Sequence, residues 1–229
     1  MKLFLPVLLL FTFFRVQAQF AVVEDKDGYV NVRRDPGTSA PVIGRIQSGD
    51  VVFLTDQKNG WQYVDCYINH KNTTGYIHPS RLKAVDKFTS AHRVVHSADS
   101  VFFRLGNLQV GIRETSFVAK KNRIRYRKTE AGRMVDKIND RSFWGTDGYL
   151  PASQYQHITC FWEGKEVAVP DSAINDVFNP NLHMTTVLYD KGTKRWYIAA
   201  TNSDGAGGYE VIWVFEQGEY KQRFVYYGF

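Results

Sequence analysis

The chain has 229 residues, with 29 Lys and Arg against 23 Asp and Glu and a formal net charge of +6. That length suits one sizeable or two small cores, and two domains are expected. Aromatic residues reach 15%, enough for small β cores to be filled largely by Tyr, Phe and Trp.

Met1 and Lys2 make a positive start, residues 3–14 are almost unbroken apolar, and Val16-Gln17-Ala18 places small residues where a signal peptidase reads. Residues 1–18 are therefore expected to be a cleaved signal peptide, leaving a periplasmic or secreted protein. The apolar run is about 12 residues against the roughly 20 that a bilayer-spanning helix needs, so no stable membrane insertion is expected. Residue 19 is Gln, which offers no thiol for lipid attachment. Loss of Lys2 and Arg15 leaves 27 basic against 23 acidic residues, a net charge of +4. Nucleic acid is not an expected partner of an exported chain with so mild an excess.

From Phe20 onward nearly every segment reads as strand, with aromatic and β-branched runs punctuated by Gly, Asn or Asp. Residues 21–23 are followed by a turn at Asp27-Gly28, and residues 29–34 by Asp35-Pro36-Gly37, where Pro fixes φ and Gly accepts the positive φ that follows. Residues 41–46, 51–55 and 61–65 come next, separated by Ser48-Gly49-Asp50 and Lys58-Asn59-Gly60, and residues 75–78 close the set before a short helix at residues 80–82. A small closed barrel of the five-stranded type fits these runs.

These residues resemble the bacterial SH3 domains of exported proteins that act at the cell wall. The resemblance is carried by Tyr29-Val30-Asn31-Val32-Arg33-Arg34-Asp35-Pro36-Gly37, Val42-Ile43-Gly44-Arg45-Ile46, Gly49 with Val51-Val52, Gly60-Trp61-Gln62-Tyr63-Val64, and Gly75-Tyr76-Ile77 with Leu82. It places an SH3-like domain at residues 20–85 and implies recognition of a peptidoglycan peptide or an exported protein partner through an aromatic-rimmed groove. Tyr29, Asn31, Arg33, Trp61 and Tyr76 are the positions it nominates. Two of them keep alternatives open: Trp61 either caps the barrel or stacks on a ligand, and Arg33 bonds either a loop carbonyl or a ligand carboxylate. Residues 66–74 form a longer insertion than the compact family form carries, able to re-aim or cover the usual groove.

Residues 83–91 read as a linker, and residues 92–229 as a second β-rich domain, a sandwich or meander of about nine strands. The strand candidates are residues 100–104, 108–112, 116–118, 124–127, 158–162, 187–189, 196–200, 209–215 and 223–227, with a short helix possible at residues 172–178. Asp190-Lys191-Gly192 and Gln217-Gly218-Glu219 fit hairpin connections. Residues 120–128 gather much of the positive charge, with Arg123, Arg125 and Arg127 alternating with Ile124 and Tyr126. They form either a solvated outer face or a contact for an acidic polymer or anionic membrane surface.

Two Gly-rich loops, residues 143–151 and 201–209, nominate Trp144, Asp147, Asn202 and Asp204 as further ligand contacts, against the alternative that they are tight turns. Neither has the alternating acids and terminal Glu of a calcium loop, so no metal or other cofactor is expected. Cys66 and Cys160 lie between bulky neighbours, which favours buried free thiols over a bridge. Cys160 sits in a strand pattern, not at the helix start that would activate a thiol nucleophile, and the histidines show no His-Glu-x-x-His spacing. The expectation is an all-β, exported, non-catalytic binding protein. An immunity or inhibitor protein against an exported toxin or wall hydrolase is the alternative, and a wall hydrolase using Asp147 and Asp204 a weaker one.

Overall fold

The computed structural model describes residues 19–130 and 132–227, so the expected signal peptide lies outside the described residues. Among the described residues, strands predominate and the helical pieces are 3-10 turns of three residues. The short helices expected at residues 172–178 and 80–82 are such turns, Asp171–Ala173 and Pro79–Arg81.

Seven strands form the first sheet: β1 (Phe20–Val23), β2 (Tyr29–Arg33), β3 (Val42–Gln47), β4 (Val51–Lys58), β5 (Trp61–Ile68), β6 (Lys71–Ile77) and β7 (Leu82–Ala84). Their order is β3-β2-β6-β5-β4-β1-β7. The sheet has seven strands where a five-stranded barrel was expected, short β7 pairing with β1 at its edge. Along β2 and β5 buried and half-buried residues alternate, as period-2 side-chain geometry requires of a curled sheet with a packed interior. The inward set is Ala21, Val23, Val30, Val32, Ile46, Val52, Val64, Cys66 and Ile77. Cys66 donates to the Thr73 carbonyl, and burial pushes its thiol up to about 12. Residues 66–74 do not fold over a groove: they lengthen the β5–β6 hairpin, which turns at Asn69 and His70, both at positive φ.

The remaining strands are β8 (Thr89–Ser90), β9 (His92–His96), β10 (Ser100–Leu105), β11 (Leu108–Ser116), β12 (Ile124–Thr129), β13 (Gly132–Ile138), β14 (Ser153–Trp162), β15 (Lys165–Val167), β16 (Thr185–Asp190), β17 (Arg195–Asn202), β18 (Tyr209–Glu216) and β19 (Glu219–Tyr227). They make two five-stranded sheets, β15-β14-β11-β10-β9 and β19-β18-β17-β16-β8, and β12 and β13 stand as a separate two-stranded ribbon. Of the strand expected at residues 116–118 only Ser116 is strand, as the last residue of β11, while β8, β9, β13 and β15 had no counterpart in the sequence reading. Val110, Ile112, Ile158 and Cys160 of one sheet share a core with Trp196, Ile198, Val211, Trp213 and Phe215 of the other, which makes the pair a sandwich. Both cysteines are free and buried, each in its own core.

The second face of the β16–β19 sheet is also covered. Leu188, Tyr197, Ile212, Val214, Phe224 and Tyr226 pack against Phe20, Val22, Val51, Phe53, Val85 and Phe88 from the first sheet and its exit. This explains the run Val211-Ile212-Trp213-Val214-Phe215, in which every residue is buried: odd positions fill the sandwich and even positions face the barrel, so no polar face is left to alternate. Two tyrosine hydroxyls bond across this seam, Tyr67 Oη donating to the Val225 carbonyl at 2.8 Å and Tyr226 Oη to the Val51 carbonyl at 3.0 Å, while the buried Tyr197 hydroxyl meets no partner among the described residues. Residues 83–91 are built into both parts rather than left as a free linker. Lys83 and Ala84 pair with β1, Phe88 stacks on Tyr197, and Thr89 and Ser90 pair with β16.

Candidate functional site

The outward positions of β2, β6 and β5 lie side by side. Register places Arg33 opposite Tyr76 and Tyr76 opposite Tyr63, giving one row across three strands on the barrel's outer face. The Tyr63 and Tyr76 rings are 4.8 Å apart, and Tyr63 Oη donates to Thr74 Oγ1 at 2.8 Å. Beside that row Trp61 meets the edge of His78 at 5.3 Å, both rings reaching solvent. Farther along β2, Arg45 lies over the Tyr29 ring at 4.5 Å and donates through Nε to Asn31 Oδ1 at 3.2 Å. The five nominated barrel residues thus share one surface.

Two details refine that surface. Arg33 Nη1 donates to the Ala40 carbonyl at 2.6 Å, so it braces the loop that follows β2. Trp61 is half-buried and outward, while its neighbours Gln62 and Val64 turn inward, so the indole does not fill the barrel core. Sequence reasoning missed Tyr63, His78 and Arg45. The signal for Tyr63 was its place two residues after Trp61, which puts both on one strand face.

The second-domain nominees do not form one site. Gly145 has φ near +106°, and a Cβ there would collide with the Phe178 carbonyl; Gly207 presses against the backbone of Thr146. Asn179 Nδ2 and Ser203 Oγ both donate to the Gly145 carbonyl, at 2.6 and 2.9 Å. The glycines therefore serve the packing of the two loops against neighbouring backbone. Trp144 lies against Tyr227 at 4.6 Å and Tyr209 at 6.3 Å. Asn202 is fully buried: its Oδ1 accepts from Asn181 N at 2.7 Å and its Nδ2 donates to Tyr155 Oη at 2.9 Å. It is a tie inside the fold, which corrects its nomination as a ligand contact. Asp147 and Asp204 are exposed and open onto different clefts.

The cleft at Asp204, about 510 Å³, is also lined by His96, Glu114, Ser153 and His183. The His96 and His183 rings are 4.0 Å apart, a pairing of β9 with the turn before β16 that the sequence spacing could not reveal. Partial desolvation, then His183 and Arg93, hold the His96 imidazole below its ordinary range. Burial raises the Glu114 carboxyl, against a hydrogen bond from Ser153 Oγ at 3.2 Å. No group of three or more His, Cys, Asp and Glu among the described residues is arranged to hold a metal ion.

The curled antiparallel sheet, with an open aromatic face on one side, is a small β module. Residues 28–83 match the family model of the bacterial SH3 domain, a class of binding modules, and no other family matches the rest of the chain. No curated protein and no solved structure matches the chain. The match begins at Gly28, so β1 lies ahead of it although the sheet includes that strand.

Proposed function

We propose that the protein is an exported, non-catalytic binding protein whose SH3-like outer face recognises a cell-wall peptide. The supporting observation is the row Arg33–Tyr76–Tyr63 beside the Trp61–His78 pair. This aromatic face stays open to solvent while the opposite flank of the same barrel is buried against the second domain. Half-exposed aromatic rings next to a fixed guanidinium suit a peptide with apolar and carboxylate groups. The reading of the second domain as non-catalytic is supported by Cys160, which is fully buried in β14 with its thiol pKa raised by burial. The separation of Asp147 from Asp204 argues the same way.

The test is retention of the intact protein on purified peptidoglycan. Wild type is expected to be retained, and Trp61→Ala and Tyr76→Ala each to lower retention about tenfold, the scale of an aromatic contact residue. Equal retention of both variants would move the site off this face, and release of soluble wall fragments would make the protein an enzyme.

A further inference from the structure

We propose that the β12–β13 ribbon and the loop at its base form a second, independent surface that docks the protein reversibly on an anionic lipid bilayer. Residues 118–141 contain nine Lys and Arg against three Asp and Glu, a net +6 that equals the formal charge of the entire chain. The other residues are together neutral, so the molecule's field is concentrated at this one projection. Among the described residues only Arg123 of the nine cations is ion-paired, with Asp140 at 2.5 Å on exposed ground.

The strand register makes the concentration sharper. Arg125 stands directly opposite Lys137, and Lys128 opposite Arg133. Like charges facing each other across a strand pair repel, and a surface of opposite sign relieves that repulsion. The ribbon is anchored by Val135 and Ile138, buried with Phe178, so the cations are carried on a fixed support.

Charge alone would suit any polyanion; the apolar side chains select a bilayer. Val118, Tyr126, Tyr149 and Leu150 are 42, 42, 76 and 41% exposed, and backbone contacts bring them to the same end of the molecule. Tyr126 pairs with Val135, whose N–H donates to the Gly148 carbonyl at 2.8 Å, next to Tyr149. The Phe117 N–H donates to the Ala152 carbonyl at 2.9 Å, which sets Val118 beside the loop carrying Leu150. Arg133 lies over the Tyr126 ring at 4.2 Å. Tyrosines and aliphatic residues ringed by Arg and Lys match the headgroup region, where the rings meet the acyl boundary and the cations meet phosphate. No helix among the described residues is long and apolar enough to cross a membrane, and this docking requires none.

Co-sedimentation with lipid vesicles tests the proposal. The intact protein is expected to bind phosphatidylglycerol-containing vesicles, to ignore pure phosphatidylcholine, and to be released by high salt. Replacing Arg125, Arg127 and Lys128 together by Glu should lower partitioning more than tenfold. Tyr149→Ser with Leu150→Ser, at exposed positions that leave circular dichroism unchanged, should lower it severalfold. Trp61→Ala should bind vesicles as wild type does, which separates this surface from the peptide face. Failure of wild type to bind the anionic vesicles overturns the proposal. So does unchanged vesicle binding by the Tyr149/Leu150 variant together with equally tight binding to soluble dextran sulfate, which would make the ribbon a polyanion site.

Discussion

The barrel carries two aromatic populations on its outer surface, and they have opposite fates. Strand β5 contributes to both: Trp61 and Tyr63 near its start remain at the solvent, while Tyr67 near its end packs on Phe224 and Tyr226. At the seam, the Tyr67 and Tyr226 hydroxyls are spent on carbonyls of the facing part of the molecule. On the open face the rings contact one another and short polar groups of the same barrel. The same residue type thus stabilises in one place and stays available in the other, and what decides between them is whether the second domain covers it.

That contrast is broken most severely at Tyr226, fully buried and stacked on Phe53 at 5.6 Å. Tyr226→Ala should cost about 3–5 kcal/mol and lower a single thermal transition shared by barrel and sandwich; a barrel that melts separately in calorimetry would show that the seam does not couple them. A smaller effect is expected at the seam's margin, where Glu210 lines a cavity of about 430 Å³ together with Phe20, Val85 and Leu188. Burial pushes its carboxyl up to about 7, against a hydrogen bond from Thr201 Oγ1 at 2.9 Å. The folded state therefore keeps a proton that the unfolded chain releases above its ordinary 4.5, so stability falls as pH rises from 4.5 to 7. Glu210→Gln should flatten that slope and add about 1–2 kcal/mol at pH 8 while changing little below pH 4.5, as read by denaturant titration across the range. Tyr67→Phe, which removes one hydroxyl donor, should cost about 1 kcal/mol in the same assay. Least affected is Trp61→Ala, whose stability should stay within about 1 kcal/mol of wild type even as wall retention drops.

Much of the barrel was legible because its turns need particular residues and its strands alternate. Gly49 at φ near +94° and the Asn59-Gly60 pair at φ near +51° and +77° stand where the sequence reading put breaks. Tyr29, Asn31 and Arg33 fall on one face for the same period-2 reason that places Val30 and Val32 inside. The seam was not legible, since nothing local to Phe20 or Phe53 says which distant strand covers them. Asn202 was misread because a polar residue beside glycines looks like a loop contact; only the fold shows that Asn181 and Tyr155 satisfy it in the interior. The ribbon's cations were visible as a run, but its second strand carries a mixed pattern, Gly132-Arg133-Met134-Val135-Asp136-Lys137-Ile138, whose facing charges emerge only with the register.

Phe20, at the beginning of the first strand, touches the ring of Tyr226, one residue from the end of the last, at 6.1 Å. A chain made from its N-terminus therefore completes the barrel's own pairings long before β19 exists to shield its flank. Until then the apolar side of β1 and β4 has no cover, and closing it requires contacts between strands far apart in sequence, the kind that form slowly. Strand β19 is thus the one that finishes β1.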